Sequence, residues 1–258
     1  MTRALEGKVA IVTGAGSGIG RAITMRFAAE GATVYAAGRT VATLQSTMAD
    51  AAADGGEVRP AQCDVSRREE VASLVAQVVE QTARIDILIN NAHDLRDLYR
   101  PFVETDEASF MRSFDSGFLG SYYFLQECYP FLKLRQGKVV NMGSAAGVAG
   151  MANLLSYAVT KEAIRTMTRV VAREWGVDGI NVNMICPYAT DTPTMREARG
   201  QMTPEVFDAR HLERRPLQRH GGGDDIASVA LFLVTAASSY ITAHTLMVDG
   251  GMFMDAGR

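Results

Sequence analysis

The side chains best suited to chemistry are Tyr157 and Lys161, in the run Tyr157-Ala158-Val159-Thr160-Lys161. On a helix, an i, i+4 spacing puts both on one face, a turn apart. An ordinary phenol has a pKa of roughly 10 and is a poor base at neutral pH. A cation one turn away favours the phenolate and brings it into range for proton exchange with an alcohol or carbonyl oxygen. Ser144 lies upstream at the end of a predicted strand, where its hydroxyl can hydrogen-bond the same oxygen. A lone Tyr-x-x-x-Lys is a common chance pair, so its surroundings decide what it is.

A second stretch is built to receive an anion. Val9 to Val12 is a small and β-branched apolar run that reads as a buried parallel strand. It breaks into Gly14, Gly16, Gly18 and Gly20, and Ile19, Ile23 and Phe27 then recur at helical spacing up to Gly31. A strand, a glycine turn and a helix N-terminus together point backbone N–H groups outward, where a pyrophosphate can approach closely. The spacing is Thr13-Gly14-x-x-x-Gly18-x-Gly20, not the strict G-x-G-x-x-G of dinucleotide folds.

The elements that must position these groups alternate along the chain. Strands are predicted near 33–37, 57–63, 86–89, 138–142, 181–185 and 245–248. Helices are predicted near 44–53, 66–83, 107–134, 154–175 and 225–236. Ser66 with Glu69 reads as a capping box at the start of the second of these helices. Alternating strands and helices with no linker imply an α/β fold, a doubly wound parallel sheet in a single domain over 1–258. Right-handed crossovers then gather the glycine turn, Gly38-Arg39, Asp64-Val65, Asn91-Ala92-His93, Ser144 and Pro187-Tyr188 on one rim. The polar, proline-broken stretch 188–223 reads as a lid over it.

Composition narrows the partners. A formal net charge of −3 leaves no electrostatic footprint for nucleic acid. No apolar run reaches membrane-spanning length and the first residues carry no apolar signal core. Cys63, Cys128 and Cys186 are scattered and odd in number, which suits a reducing cytoplasm. His211, His220 and His244 show no metal-ligand spacing, so no metal is assigned. Cys186 reads as a small buried residue. Arg210, Arg214, Arg215 and Arg219 read as a solvated basic face.

Taken together, these motifs resemble those of the short-chain dehydrogenases/reductases, over nearly the whole chain. The matching residues are Thr13-Gly14-x-x-x-Gly18-x-Gly20, Asp64-Val65, Asn90-Asn91-Ala92, Asn141 to Ser144, Tyr157-x-x-x-Lys161 and Val248-Asp249-Gly250-Gly251. The resemblance implies a Rossmann fold, with Tyr157 as general acid/base, Ser144 orienting the substrate oxygen, and Lys161 binding the nicotinamide ribose and lowering the tyrosine's pKa. It implies that Asp64 and Val65 hold the adenine and that Asn91 and Ala92 pack beside the adenosine ribose. Gly14, Ser17, Gly18, Ile19 and Gly20 would line the pyrophosphate, and Pro187 and Thr192 would complete the cofactor site.

Four positions depart from the family pattern. His93 stands where a glycine follows Asn-Asn-Ala, and Gly117 stands where a fourth catalytic residue, an asparagine, is expected. Tyr188 and Ala243 replace glycines after Pro187 and Ile241-Thr242. The relay in which that asparagine holds a water behind the lysine is therefore not carried over to this chain. Gly117 is expected to make room for a water or substrate, or to allow tight helix packing. His93 is either a substrate-pocket acid or a solvated loop residue. Tyr188, Met195 and Met202 are expected to form an adaptable apolar wall of that pocket.

NADP is the expected cofactor, with NAD the alternative. NAD-binding folds place an acidic side chain at the end of the second strand, and here that position is Gly38, followed at once by Arg39. A guanidinium there can pair with a 2′-phosphate in a bidentate way. The expected activity is oxidation and reduction between a secondary alcohol and a ketone, on a small-molecule substrate. A lyase, isomerase or imine reductase on the same scaffold and a non-catalytic nucleotide-binding protein remain the alternatives. Apolar positions on the helices near 107–134 and 154–175 exceed what one sheet face covers, which with the resemblance implies a homotetramer or homodimer.

Overall fold

The computed structural model describes residues 3–96, 98–188, 190, 192 and 215–253. Seven parallel strands form one sheet: β1 Val9–Thr13, β2 Thr33–Gly38, β3 Glu57–Gln62, β4 Ile87–Asn90, β5 Lys138–Met142, β6 Asn181–Pro187 and β7 Thr245–Val248. Their order is β3-β2-β1-β4-β5-β6-β7, so the chain first winds outward from β1 to one side and then to the other. The reversal lies between β1 and β4, and a crevice opens beyond the carboxyl ends of strands at such a point. The central strands are continuous apolar runs because both faces are covered.

Alternate strand residues feed two cores. Ile11, Leu88 and Val139 pack with α3 (Arg68–Thr82), α5 (Gly120–Arg135) and α7 (Leu155–Trp175). Ala10, Val12, Ile89 and Val140 pack with α1 (Gly18–Ala29), α2 (Val41–Ala53) and the last helix, α8 (Gly223–Val234). No helix among the described residues is long and apolar enough to cross a membrane.

Two local expectations fail for identifiable reasons. The helix expected over 107–134 is three pieces: α4 Glu107–Phe114, a π-helical turn at Asp115–Leu119, then α5. Serine hydroxyls bond back to carbonyls before and within the turn, Ser116 to Arg112 and Ser121 to Gly117, each at 2.7 Å, and such bonding bends helices. The capping box at Ser66 does not form. The Ser66 hydroxyl donates to the Asp64 carboxylate at 2.7 Å, and α3 starts at Arg68 without a side-chain cap. A five-residue helix, α6 (Ala145–Ala149), went unforeseen.

The amino ends of the strands are tied by one carboxylate. Asp86 accepts from the Val9 N–H at 2.9 Å, from Arg84 at 2.6 and 2.8 Å, and from Lys8 at 3.4 Å. Burial alone would raise its carboxyl, but these partners outweigh that and hold it below the usual range. Its own carbonyl accepts from Lys138 N–H, joining β5 to the same end.

Candidate active site

The carboxyl ends of the strands carry the opposite specialisation. Gly14 and Gly18 turn the chain from β1 into α1 with positive φ, +66° and +53°, where a side chain would be strained. Ser17 precedes α1 in extended conformation and its side chain caps no N–H, so the first amides of the helix face outward. Thr13 ties this turn to the next loop: its hydroxyl accepts from Asn91 N–H at 2.9 Å and Ala92 N–H at 3.0 Å. The Asn91 amide returns a bond to the Thr13 carbonyl at 2.9 Å.

A cavity of about 960 Å³ runs from this turn across the rim. Gly14, Ser17, Gly18, Ile19, Arg39, Asp64, Val65, Asn91 and Ala92 line one part of it. His93, Ser144, Tyr157, Lys161, Pro187, Tyr188 and Thr192 line another. Gly20 is not among the lining residues. It packs behind the turn, where a Cβ would run into the Gly14 carbonyl and the Asn91 amide. Met195 and Met202 lie outside the described residues, as does most of the stretch expected to form a lid.

Within the second part, Ser144 caps α6, its Oγ accepting from Ala146 N–H at 3.1 Å. Tyr157 and Lys161 share a face in the first turns of α7. Lys161 is buried and donates to the Met142 carbonyl at 2.8 Å, and its ammonium lies 5.5 Å from the centre of the Tyr157 ring. Burial pushes Lys161 down to about 8. Burial also pushes the Tyr157 phenol above its ordinary value, and a hydrogen bond with Ser144 opposes that rise. Desolvation of the phenolate sets the direction of the shift, contrary to the lowering expected from Lys161. Without ligand, Tyr157 is held as the neutral acid.

His93 is not a solvated loop residue. Its ring lies 4.9 Å from that of Tyr157, tilted by 59°, and its Nε2 is 2.8 Å from the Ser113 hydroxyl. Burial, with Lys161 in support and Asp94 opposed, keeps the imidazole well below its usual pKa and neutral. Gly117 leaves no open space either. A Cβ there would lie 2.5 Å from Thr160 Cγ2 and 2.8 Å from His93 Cε1 and Nδ1. Arg215, expected on a solvated face, is buried over the Tyr188 ring at 5.6 Å.

Comparison with known proteins agrees with this geometry. A profile of the family described as enoyl-(acyl carrier protein) reductase matches residues 14–253. The chain belongs to the short-chain dehydrogenase/reductase family. It is 35% identical to a 3-oxoacyl-(acyl-carrier-protein) reductase of Thermotoga maritima, over 96% of this chain and 98% of that protein. It is 36% identical to a 12α-hydroxysteroid dehydrogenase of a Clostridium species, over 96% and 97%. A solved 7α-hydroxysteroid dehydrogenase, complexed with NADH and 7-oxo glycochenodeoxycholic acid, superposes with a TM-score of 0.90 at 30% identity, over 97% and 96% of the two chains.

Short-chain dehydrogenases/reductases use nicotinamide dinucleotides, and the cavity suits one. It has uncapped helix amides for a pyrophosphate, the Arg39 guanidinium at the end of β2, and a volume at the upper end for ligand pockets. Some lining residues escaped sequence reasoning. Leu95, Leu98, Tyr99, Met151 and Leu154 make an apolar wall, and Asp94 accepts from Arg39 at 3.1 Å. None stands in a motif. Only the loops' tertiary course brings them to the rim.

Proposed function

We propose that the chain is an NADP-preferring oxidoreductase that interconverts a secondary alcohol and a ketone on a compact apolar substrate. The observation that carries this reading is one cavity lined both by the glycine turn and by Ser144, Tyr157 and Lys161. The apolar residues that line the same cavity as the polar trio favour a ring or acyl chain bearing the reacting oxygen. That agrees in kind with the hydroxysteroids and oxoacyl chains in the names of its relatives. Gly38 cannot repel a 2′-phosphate and Arg39 can pair with one, which supports NADP over NAD.

The nicotinamide dinucleotide, when bound, supplies or takes up the hydride. The chain's own side chains handle the oxygen and its proton. In reduction, Tyr157, held neutral by burial, donates its phenolic proton to the carbonyl oxygen as charge develops there. Ser144 Oγ keeps that oxygen in place. Lys161, anchored on the Met142 carbonyl, stabilises the phenolate that remains, and in oxidation the same phenolate takes the proton back. The reading also places the enzyme as a homotetramer or homodimer, supported by exposed apolar residues on α5 and α7 such as Tyr122, Val159 and Val170.

The test is turnover of a panel of cyclic ketones, oxosteroids and 3-oxoacyl thioesters with 4-deuterated NADPH. Deuterium in the product carbinol, and a loss of roughly 10²–10⁴-fold in kcat for Tyr157→Phe with unchanged NADPH affinity, are the expected results. Near-normal turnover by Tyr157→Phe would overturn the acid/base assignment.

A further inference from the structure

The two departures from the family pattern nearest the reacting groups, His93 and Gly117, meet in space. A side chain at position 117 would occupy the volume that the His93 imidazole now fills, since a Cβ there lies 2.8 Å from both Cε1 and Nδ1. Real Cβ atoms essentially never come so close, so the imidazole can sit where it does only because residue 117 is glycine. The two positions are sterically coupled.

The hydrogen bonds around the ring fix what it can do. Thr160 donates its hydroxyl proton to the Ser156 carbonyl at 2.7 Å. Thr160 Oγ1 is 3.4 Å from Ser113 Oγ, and with its own proton committed it can only accept there. Ser113 therefore donates to Thr160, and accepts from His93 Nε2 at 2.8 Å. The tautomer that satisfies every member of this chain carries its proton on Nε2. That leaves Nδ1 as a lone pair, buried and without a partner among the described residues, on an imidazole in the wall of the cavity that holds Tyr157 and Lys161. A buried acceptor with no partner is costly to keep in a fold that gains nothing from it.

We propose that His93 is a positioning residue for the reacting pair: its Nδ1 lone pair is the acceptor it offers to a donor within the site and its ring braces Tyr157, with Gly117 as the glycine that admits it. The inference rests on the oxidoreductase reading above. The titratable groups facing the imidazole are Asp94 on its own loop and Tyr157 and Lys161 on α7. Lys161 and the imidazole interact electrostatically; a lone pair offered by Nδ1 favours the ammonium, so removing it moves the high-pH limb of kcat to lower pH.

The experiment compares wild type, Tyr157→Phe, His93→Phe, His93→Gly, Gly117→Asn and His93→Gly/Gly117→Asn, using NADPH with a cyclic ketone that wild type reduces, alongside thermal melts and NADPH titration by fluorescence. His93→Phe keeps a ring against Tyr157 but has no lone pair. It is expected to bind NADPH within about twofold of wild type, to lose about tenfold or more in kcat, and to shift the high-pH limb downward. Gly117→Asn alone is expected to lower the melting temperature and kcat; His93→Gly relieves the clash with the imidazole but not that with Thr160 Cγ2, so the double variant is expected to recover part of the melting temperature while its kcat stays low, a non-additive coupling between the positions. Added imidazole is expected to restore part of the kcat of His93→Gly. Wild-type kcat and pH profile in His93→Phe would overturn the positioning role. Additive effects in the double variant would overturn the pairing with Gly117. If Tyr157→Phe turned over like wild type, the oxidoreductase reading itself would fall; an inactive Tyr157→Phe beside a fully active His93→Phe would remove this inference alone.

Discussion

Cofactor preference turns on Arg39, and its surroundings let the effect of removing it be sized. The guanidinium is 55% exposed and bonds Asp94, whose carboxylate is almost wholly buried. Asp94 does not depend on Arg39, because Arg96 also holds it, through Nε at 2.9 and 3.0 Å and through its own N–H at 3.0 Å. Arg39→Ala should therefore leave the loop after β4 in place. What it removes is one charge-assisted contact to a 2′-phosphate, worth about 1.5–3 kcal/mol. At about 1.4 kcal/mol per decade, kcat/KM for NADPH should fall roughly 10- to 150-fold, while that for NADH changes little. Asp94 competes for the same guanidinium, so Asp94→Asn should move kcat/KM for NADPH the other way. Steady-state rates for both cofactors, at fixed ionic strength because an exposed charge is screened, make the comparison. Equal loss with the two cofactors in Arg39→Ala, or a wild-type preference for NADH, would show that Arg39 does not read the phosphate.

Other outcomes follow from the same structure. Lys161 is held near 8 in the folded protein, below its unfolded value of roughly 10.4, so the unfolded chain binds more protons between those limits. The burial penalty is full below pH 8 and fades toward 10.4, so the melting temperature of Lys161→Met relative to wild type should fall across that interval in calorimetric scans. Gly20→Ala forces a methyl onto the Gly14 carbonyl and should cost about 1–3 kcal/mol, read as several degrees in a thermal melt; an unchanged melt would refute the close approach. Light scattering at micromolar concentration should give two or four times the mass of a single chain, and the mass of one chain would contradict the assembly.

How much was legible beforehand differs by element, for physical reasons. β5 and β7 match their expected limits residue for residue, because each is a short, mainly apolar stretch bounded by turn residues, β5 mostly buried and β7 half-buried. The order of motifs along the chain also placed the rim, since Gly14–Gly20, Gly38-Arg39, Asp64-Val65, Asn91-Ala92-His93, Ser144 and Pro187-Tyr188 each lie at or just after the end of a strand. The break at Asp115–Leu119 was hidden because the apolar residues around Phe114 and Phe118 keep a helical spacing through it, and the π turn shows only in the hydrogen bonds. His93 was ambiguous for a different reason. Nothing local distinguishes a solvated histidine from a buried one, and what buries it is a missing side chain at a position far along the chain. The direction of the Tyr157 shift was misjudged because helix spacing reports the nearby cation and is silent about desolvation.

The Asp86 cluster at the amino ends of the strands has a consequence for how such a chain can diverge. It fastens β1, β4 and β5 at the end remote from Tyr157, through contacts that no substrate or cofactor residue shares. Replacements on the rim, including a paired exchange such as that of positions 93 and 117, therefore leave this clasp untouched. New specificities can be tried at one end of the sheet while the other end keeps its fastening.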